Sequence, residues 1–221
     1  MAYTIAAAIE SQIFSAIVVS TDSEEVAKIA RYYGAEVPFL RPSAYAADLS
    51  PDFEWIDYSL RRLKDEGRQF DAYSILRPTS PFRQANTLQR AWQQFGAQPQ
   101  VDSLRAVEKC GQHPGKMWVL NGGRMQPLLP DGPKNPPWHS QPYQALPPVY
   151  VQNASLEMAW TRVVFDQGTI AGEVIMPFLT EGLEGFDINT PEDWWYSEYL
   201  LNQKAARLPR VPQSPIILTV H

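Results

Sequence analysis

Apolar positions along the first hundred residues follow two rhythms. AYTIAAAIES, at the front, is Ala-rich with helical apolar spacing. AIVVST (16–21) is a short, β-branched, uninterrupted run, as expected of a strand buried on both faces. DSEEVAKIARYYG returns to helical spacing, with Asp22 and Glu25 at the separation of a capping box and Gly34 as the stop. EVPFL predicts a short strand that Pro38 pushes toward an edge. Ser50 and Pro51 read as N-cap and first residue of a helix ending at Gly67, with Phe53, Ile56, Leu60 and Leu63 recurring every three or four positions. AYSIL (72–76) is another buried strand, Asn86 opens a helix carrying Leu88, Trp92 and Phe95, and DSLRAV is a further strand. This β-α-β-α-β order predicts an α/β fold whose parallel sheet carries helices on both faces.

The texture changes after residue 110. MWVL, Gly122-Gly123 and RMQPLL predict a β-hairpin. From Pro127 to Pro148 prolines are too dense for a helix or an inner strand, so an extended excursion is expected. Trp138 and Tyr143 within it favour docking, as an arm gripping another subunit would, over a free linker. The strands VYVQNASLEMAW and TIAGEVIM follow, then a helix near Thr190-Pro191, and a Pro-containing tail from Leu208 expected to be loose.

Composition narrows the function classes. Hydrophobic residues are 44 % of the 221, enough for a core. Acidic residues outnumber basic ones, 24 to 19, and no basic run occurs, which disfavours a nucleic-acid surface or an anionic membrane surface. One cysteine, Cys110, excludes an internal disulfide and a Cys-based zinc cluster. No apolar stretch approaches the ~20 residues of a membrane span, and no signal-peptide pattern is present, so a cytoplasmic location is expected. The three histidines show no spacing for a metal triad or a Ser-His-Asp set.

Polar clusters follow three strand ends, where open α/β sheets bind ligands. They are Thr21-Asp22, the segment Arg77 to Arg83 in LRPTSPFR, and Asp187-Ile188-Asn189. Arg77 and Arg83 offer forked donors, and Thr79 and Ser80 add hydroxyls, a set suited to phosphate or carboxylate. A proline-stiffened loop bonding its own backbone is the competing reading. Asp187 and Asn189 fall on one side of an extended segment and bring hard oxygen ligands suited to Mg²⁺, although helix capping explains the same pattern.

Taken in order, VVSTDSEEVAKIARYYGAEVPFLRP, DLSP at 48–51, LRPTSPFR, HPGKMW, LPPVYVQNAS and FDINTPEDW resemble the acylneuraminate cytidylyltransferase family. The likeness runs from about residue 2 to about residue 200. It implies a three-layer α/β/α Rossmann-like nucleotide-diphospho-sugar transferase fold over residues 1–207, with a dimerisation arm at about 117–148 and a tail at 208–221. It implies transfer of CMP from CTP to a 2-keto-3-deoxy sugar acid of sialic, legionaminic or pseudaminic type, releasing pyrophosphate with Mg²⁺, in a homodimer. Carried over by position, residue 77, Thr79 and Ser80 sit by the sugar and Arg83 supports their loop. Ser50 lies near nucleotide or sugar, Lys116 near the sugar's acid group, and Tyr150 and Asn153 along the sugar pocket. Asp187 carries the metal, with Asn189 beside it.

Three departures qualify the transfer. Arg77 stands where many members have Gln, and Asn189 where many have Asp, a weaker metal ligand for want of charge. Members also begin with a strand and a loop like Ile-Pro-Ala-Arg-Gly-Gly-Ser-Lys-Gly that holds the triphosphate, and Met1 falls after it. On that ground little CTP-dependent activity is expected from residues 1–221. A non-catalytic sugar-acid-binding or dimerisation remnant is the alternative, and a related transferase that takes a ready-made nucleotide sugar is a third reading.

Overall fold

The computed structural model describes residues 1–47 and 49–216. Asp48 and the last five residues of the expected tail, His221 included, lie outside the described residues. The chain forms two compact units, one of residues 1–106 with 153–221, the other of residues 107–152.

In the first unit, helices α1 (Ala2–Ser11), α2 (Glu24–Tyr32), α3 (Asp52–Asp65), α4 (Ala85–Gly96), α5 (Thr161–Gln167) and α6 (Pro191–Asn202) surround a four-stranded sheet. Its strands are β1 (Ala72–Ile75), β2 (Ser103–Lys109), β5 (Tyr150–Trp160) and β6 (Ile175–Leu179), in the order β1-β5-β2-β6. β5 runs antiparallel to β1, Ala72 facing Trp160 and Ile75 facing Glu157. It is also reversed against β2, since Trp160 N bonds Asp102 O and Glu157 pairs with Arg105. β2 and β6 start side by side, Asp102 N donating to Val174 O at 2.8 Å. Thus β1, β2 and β6 share one direction, and β5 slots between the two strands that the βαβ reading made neighbours.

The period of two along the strands separates two faces. Leu104, Ala106, Leu156 and Met158 pack with Met176 and Phe178 against Ala7 and Ala8 of α1 and Leu88, Ala91 and Phe95 of α4. On the opposite face Tyr73 and Ile75 meet Ile56 and Leu60 of α3 and Val164 of α5. Arg105 and Glu157 alternate with these apolar neighbours and therefore point to that second face.

Several expected boundaries move. The 16–21 run makes a single parallel bridge, Val18 to Glu36, instead of a doubly flanked strand. Glu36 N donates to Ile17 O at 2.8 Å and Val19 N to Glu36 O at 2.9 Å, while cavities lie between this run and β1. Ser23, not Asp22, caps α2: it holds an extended conformation and its Oγ accepts from Val26 N at 3.3 Å. α3 begins at Asp52 with Pro51 as cap, because the Ser50 hydroxyl turns away to Ala44 O. The strand expected over TIAGEVIM is a turn at 169–174 followed by β6. Residues 207–216 are docked, not loose: Gln84 Nε2 bonds Arg207 O, Tyr32 Oη bonds Ser214 O, and Ile216 N bonds Tyr33 Oη.

The second unit holds the expected hairpin, β3 (Trp118–Asn121) with β4 (Arg124–Pro127), turning at Gly122 and Gly123. Both glycines have positive φ, 56° and 77°, which the two-residue turn demands. The proline-rich stretch folds into short turns rather than regular elements. His113 anchors it, buried, with Nδ1 accepting from Gly115 N and Nε2 bonded to Pro147 O, both at 2.9 Å.

Candidate functional site

β1 delivers its exit loop to one end of the sheet, and Pro78 and Pro81 hold that loop open. Arg83 folds back beneath it. The Arg83 side chain is 1 % exposed, with Nη1 donating to Ser155 O on β5 and Nη2 to Arg77 O at 3.1 Å. Burial pulls its pKa down to about 10. One guanidinium thus ties β5 to the loop that leaves β1.

The 187–189 loop joins the same end. Ile188 N donates to Thr79 O at 2.9 Å, and Phe82 and Phe186 rings pack 5.4 Å apart. α6 fixes this loop through a capping box: Thr190 Oγ1 accepts from Asp193 N, and Asp193 Oδ2 accepts from Asn189 N and Thr190 N. Those hydrogen bonds, the one from Asn189 first, lower the Asp193 pKa. Asn189 Nδ2 donates to Asp187 Oδ2 at 2.8 Å, so the amide here serves the carboxylate.

Among the described residues, four buried polar atoms at this end find no hydrogen-bond partner: Ser80 Oγ, Arg83 Nε, Ser155 Oγ and Asp187 Oδ1. Buried polar groups are normally satisfied, so orphans gathered on contacting segments mark a place for water or ligand. Asn153, two residues before Ser155, donates from Nδ2 to Thr180 Oγ1 at 2.9 Å and accepts from Ser155 N.

A cavity of about 540 Å³ opens beside the loop. Ser50, Arg77, Thr21, Arg41, Asp52 and Trp55 are among its lining residues. Charges alternate from Arg41 on the cavity wall to Glu157 and Arg105 on the adjoining strands. The Arg41 guanidinium lies 5.7 Å from the Trp55 ring centre, and Trp55 Nε1 donates to Asp52 Oδ1 at 2.9 Å. Asp52 Oδ2 pairs with Arg77 Nη2, which also lies 3.5 Å from Glu157 Oε1, and Glu157 Oε2 pairs with Arg105. Burial works to raise the Asp52 pKa, but the hydrogen bonds from Arg77 and Trp55 outweigh it and the net shift is down.

Thus Ser50, Arg77, Thr79, Ser80, Arg83, Asn153, Asp187 and Asn189 all belong to the first unit, with Thr79 bonded directly to the 187–189 loop. Lys116 and Tyr150 belong to the second. There Lys116 Nζ donates to His139 O at 3.3 Å, and Tyr150 is half exposed at the start of β5. Sequence reading missed Arg41, Asp52, Trp55, Arg105, Ser155 and Glu157. A signal existed for two of them: Glu157 and Arg105 interrupt apolar strands, and a charge in a buried strand needs a partner.

The architecture matches solved nucleotidyltransferases, as in the structure of CMP:2-keto-3-deoxy-manno-octonic acid synthetase complexed with CTP. That match has a TM-score of 0.61 at 11 % identity, over 91 % of this chain and 87 % of the other. The two chains therefore share a fold. A family profile described as cytidylyltransferase matches residues 1–106. The chain is 31 % identical over 210 residues to a CMP-N,N'-diacetyllegionaminic acid synthase of Legionella pneumophila, covering 93 % of this chain and 87 % of the relative. It is 28 % identical to the post-translational flagellin modification protein B of Campylobacter coli, covering 92 % of this chain and 84 % of that protein. The chain belongs to the cytidylyltransferase family.

Proposed function

We propose that the protein transfers CMP from CTP to a 2-keto-3-deoxy sugar acid, of the class named in its Legionella relative, with release of pyrophosphate. The observation that carries this reading is the bond between the LRPTSPFR loop and the 187–189 loop, Ile188 N to Thr79 O, beside a cavity of about 540 Å³. In the reaction the sugar's anomeric oxygen bonds the α-phosphorus, the bond from that phosphorus to the bridging oxygen breaks, and the hydroxyl proton is lost. Such a displacement needs positioning and charge neutralisation, not a covalent nucleophile.

Thr79 and Ser80 would position the sugar, with Arg83 holding their loop, and Ser50 and Arg77 would meet substrate from the cavity wall. Asn153 completes the proposed contacts within the first unit. Asp187 would hold Mg²⁺, since its Oδ1 is an acceptor without a donor among the described residues, and Asn189 would stand beside the ion. Among the described residues no group of three His, Cys, Asp or Glu could hold a metal, so an ion at Asp187 would take most of its ligands from water and phosphate. When bound, the ion neutralises phosphate charge.

We also propose a cytoplasmic homodimer joined through the second unit. Val119, Leu120, Met125 and Leu128 on and beside its hairpin are exposed, Leu120 by 80 %. No helix among the described residues is long and apolar enough to cross a membrane.

The test is pyrophosphate release from CTP and Mg²⁺ in the presence of N,N'-diacetyllegionaminic, N-acetylneuraminic or pseudaminic acid. Release with one of them is the expected result. Binding of a sugar acid without turnover would point to a binding protein instead, and absence of both would overturn the reading.

A further inference from the structure

Two arginines line the same cavity in opposite electrostatic states. Arg41 has no carboxylate partner among the described residues, and its Nε is buried without a hydrogen bond. Arg77 is held between two carboxylates, Asp52 and Glu157, and Glu157 is shared with Arg105. The four groups sum to zero charge. An anion brought to Arg77 would meet the Asp52 carboxylate, whose side chain is 31 % exposed beside it.

The way Arg77 is held leaves most of its donors open. Both carboxylates engage one nitrogen, Nη2. A guanidinium carries five N–H donors in a planar fork. The Nε and Nη1 hydrogens have no protein partner among the described residues, on a side chain that lines the cavity. Asp52 is itself pinned from two directions: it is the first residue of α3, and the Trp55 indole holds its other oxygen. Arg77 therefore presents a fixed edge of hydrogen-bond donors whose charge is already balanced.

We propose that Asp52 is a positioning residue that fixes Arg77 to read a neutral acceptor on the sugar acid, an acyl-amide carbonyl rather than an anionic group. This rests on the proposed sugar-acid substrate and deepens it, because it assigns the Arg77 wall to recognition of acylamino substituents. Anionic groups are left to cations without a carboxylate neighbour. Removing the Asp52 charge frees the guanidinium to swing and leaves it electrostatically open to anions.

The experiment is calorimetric titration with two probes: N,N'-diacetyllegionaminic acid and the same sugar acid with its amino groups free. Wild type is expected to favour the diacetyl form by about tenfold or more, the worth of a hydrogen bond to a charged donor. Asp52→Asn should weaken binding of the diacetyl form by roughly tenfold and shrink that preference. Asp52→Glu should restore part of it. Arg77→Met should match Asp52→Asn, with the double variant no worse than either, as for residues acting as one unit. Both side chains are only partly buried, and circular dichroism would verify that the variants fold.

An Asp52→Asn affinity within about twofold of wild type, or a preference that survives it, would overturn the proposal alone. A wild-type protein that binds neither probe would overturn the sugar-acid reading along with it.

Discussion

Asp102 is the residue where most of one sheet end is tied together. Its Oδ2 accepts from the backbone N–H of Glu173 at 2.9 Å and Val174 at 3.1 Å. Its Oδ1 accepts from Arg162 Nη1 at 2.8 Å and Gln167 Nε2 at 3.3 Å. One carboxylate thus joins the start of β2, helix α5 and the approach to β6. The bond from Val174 N is the main cause that lowers its pKa to about 2, against the opposing effect of burial. In the unfolded chain the group titrates at about 3.9, so the folded state binds the proton less readily. The resulting stability is complete above that value and is lost as pH falls from about 4 toward 2. Allowing for screening by water at the sheet end, that window is worth about 1–2 kcal/mol. Asp102→Asn should therefore lower Tm at neutral pH by about 3–8 °C. The gap from wild type should close as pH falls toward 2. Thermal unfolding of both proteins across that range checks it, and a gap independent of pH would refute the linkage.

At the level of elements, the 169–174 turn is shaped around that carboxylate. Gly172 has φ +71°, and a Cβ placed there would lie 2.3 Å from Asp102 Cβ. Positive φ and steric overlap act together, so Gly172→Ala should destabilise by more than ~2 kcal/mol, measured by urea denaturation. Retention of wild-type stability would mean the turn can reorganise. The same turn shows why sequence reading placed a strand here. TIAGEVIM has the β-branched content of a strand, but only a tertiary partner, Asp102, reveals that Gly172 bends it. Helices α3 and α4 were legible from their own periods: Leu88 and Phe95, for example, lie on one buried face, although Ala91 rather than the expected Trp92 completes it. α6 was legible from its start, where Thr190 caps and Pro191 opens the helix. β5 was legible as a strand, but not in direction or place, since strand order depends on contacts far apart in the chain, such as Ser74 Oγ to Glu157 O across 83 positions. The LRPTSPFR loop and the Asp187 segment stood out for their chemistry. Asp52 did not, because its role exists only through Arg77, 25 positions later.

On the scale of the whole molecule, residues 207–216 are the part whose composition misled most. Pro209, Pro212 and Pro215 among few apolar residues suggest a free end, yet Val211 and Ile216 pack on the cluster formed by Ile5, Ala27, Ala30, Tyr33, Ala35 and Val37. Proline lowers the cost of ordering such a segment, because its backbone has less freedom to lose. The small apolar residues of α2 leave a shallow surface that the strap covers: Ala27 and Ala30 are fully buried, and Tyr33 is 9 % exposed. Removing residues 209–221 would return Val211, Ile216 and the Tyr33 ring to water. At roughly 25 cal/mol per Å² of apolar surface, that amounts to about 2–3 kcal/mol, or a Tm lower by about 5–10 °C. Tyr33→Phe isolates the polar part: it removes only the bond from Ile216 N, worth about 1 kcal/mol, and keeps the ring. Scanning calorimetry of the two variants separates the contributions. If the truncated chain melts at the wild-type temperature, the contacts at Tyr32 and Tyr33 contribute nothing to stability. A larger loss for the truncation than for Tyr33→Phe is expected, because most of the strap's hold on α2 comes from apolar burial.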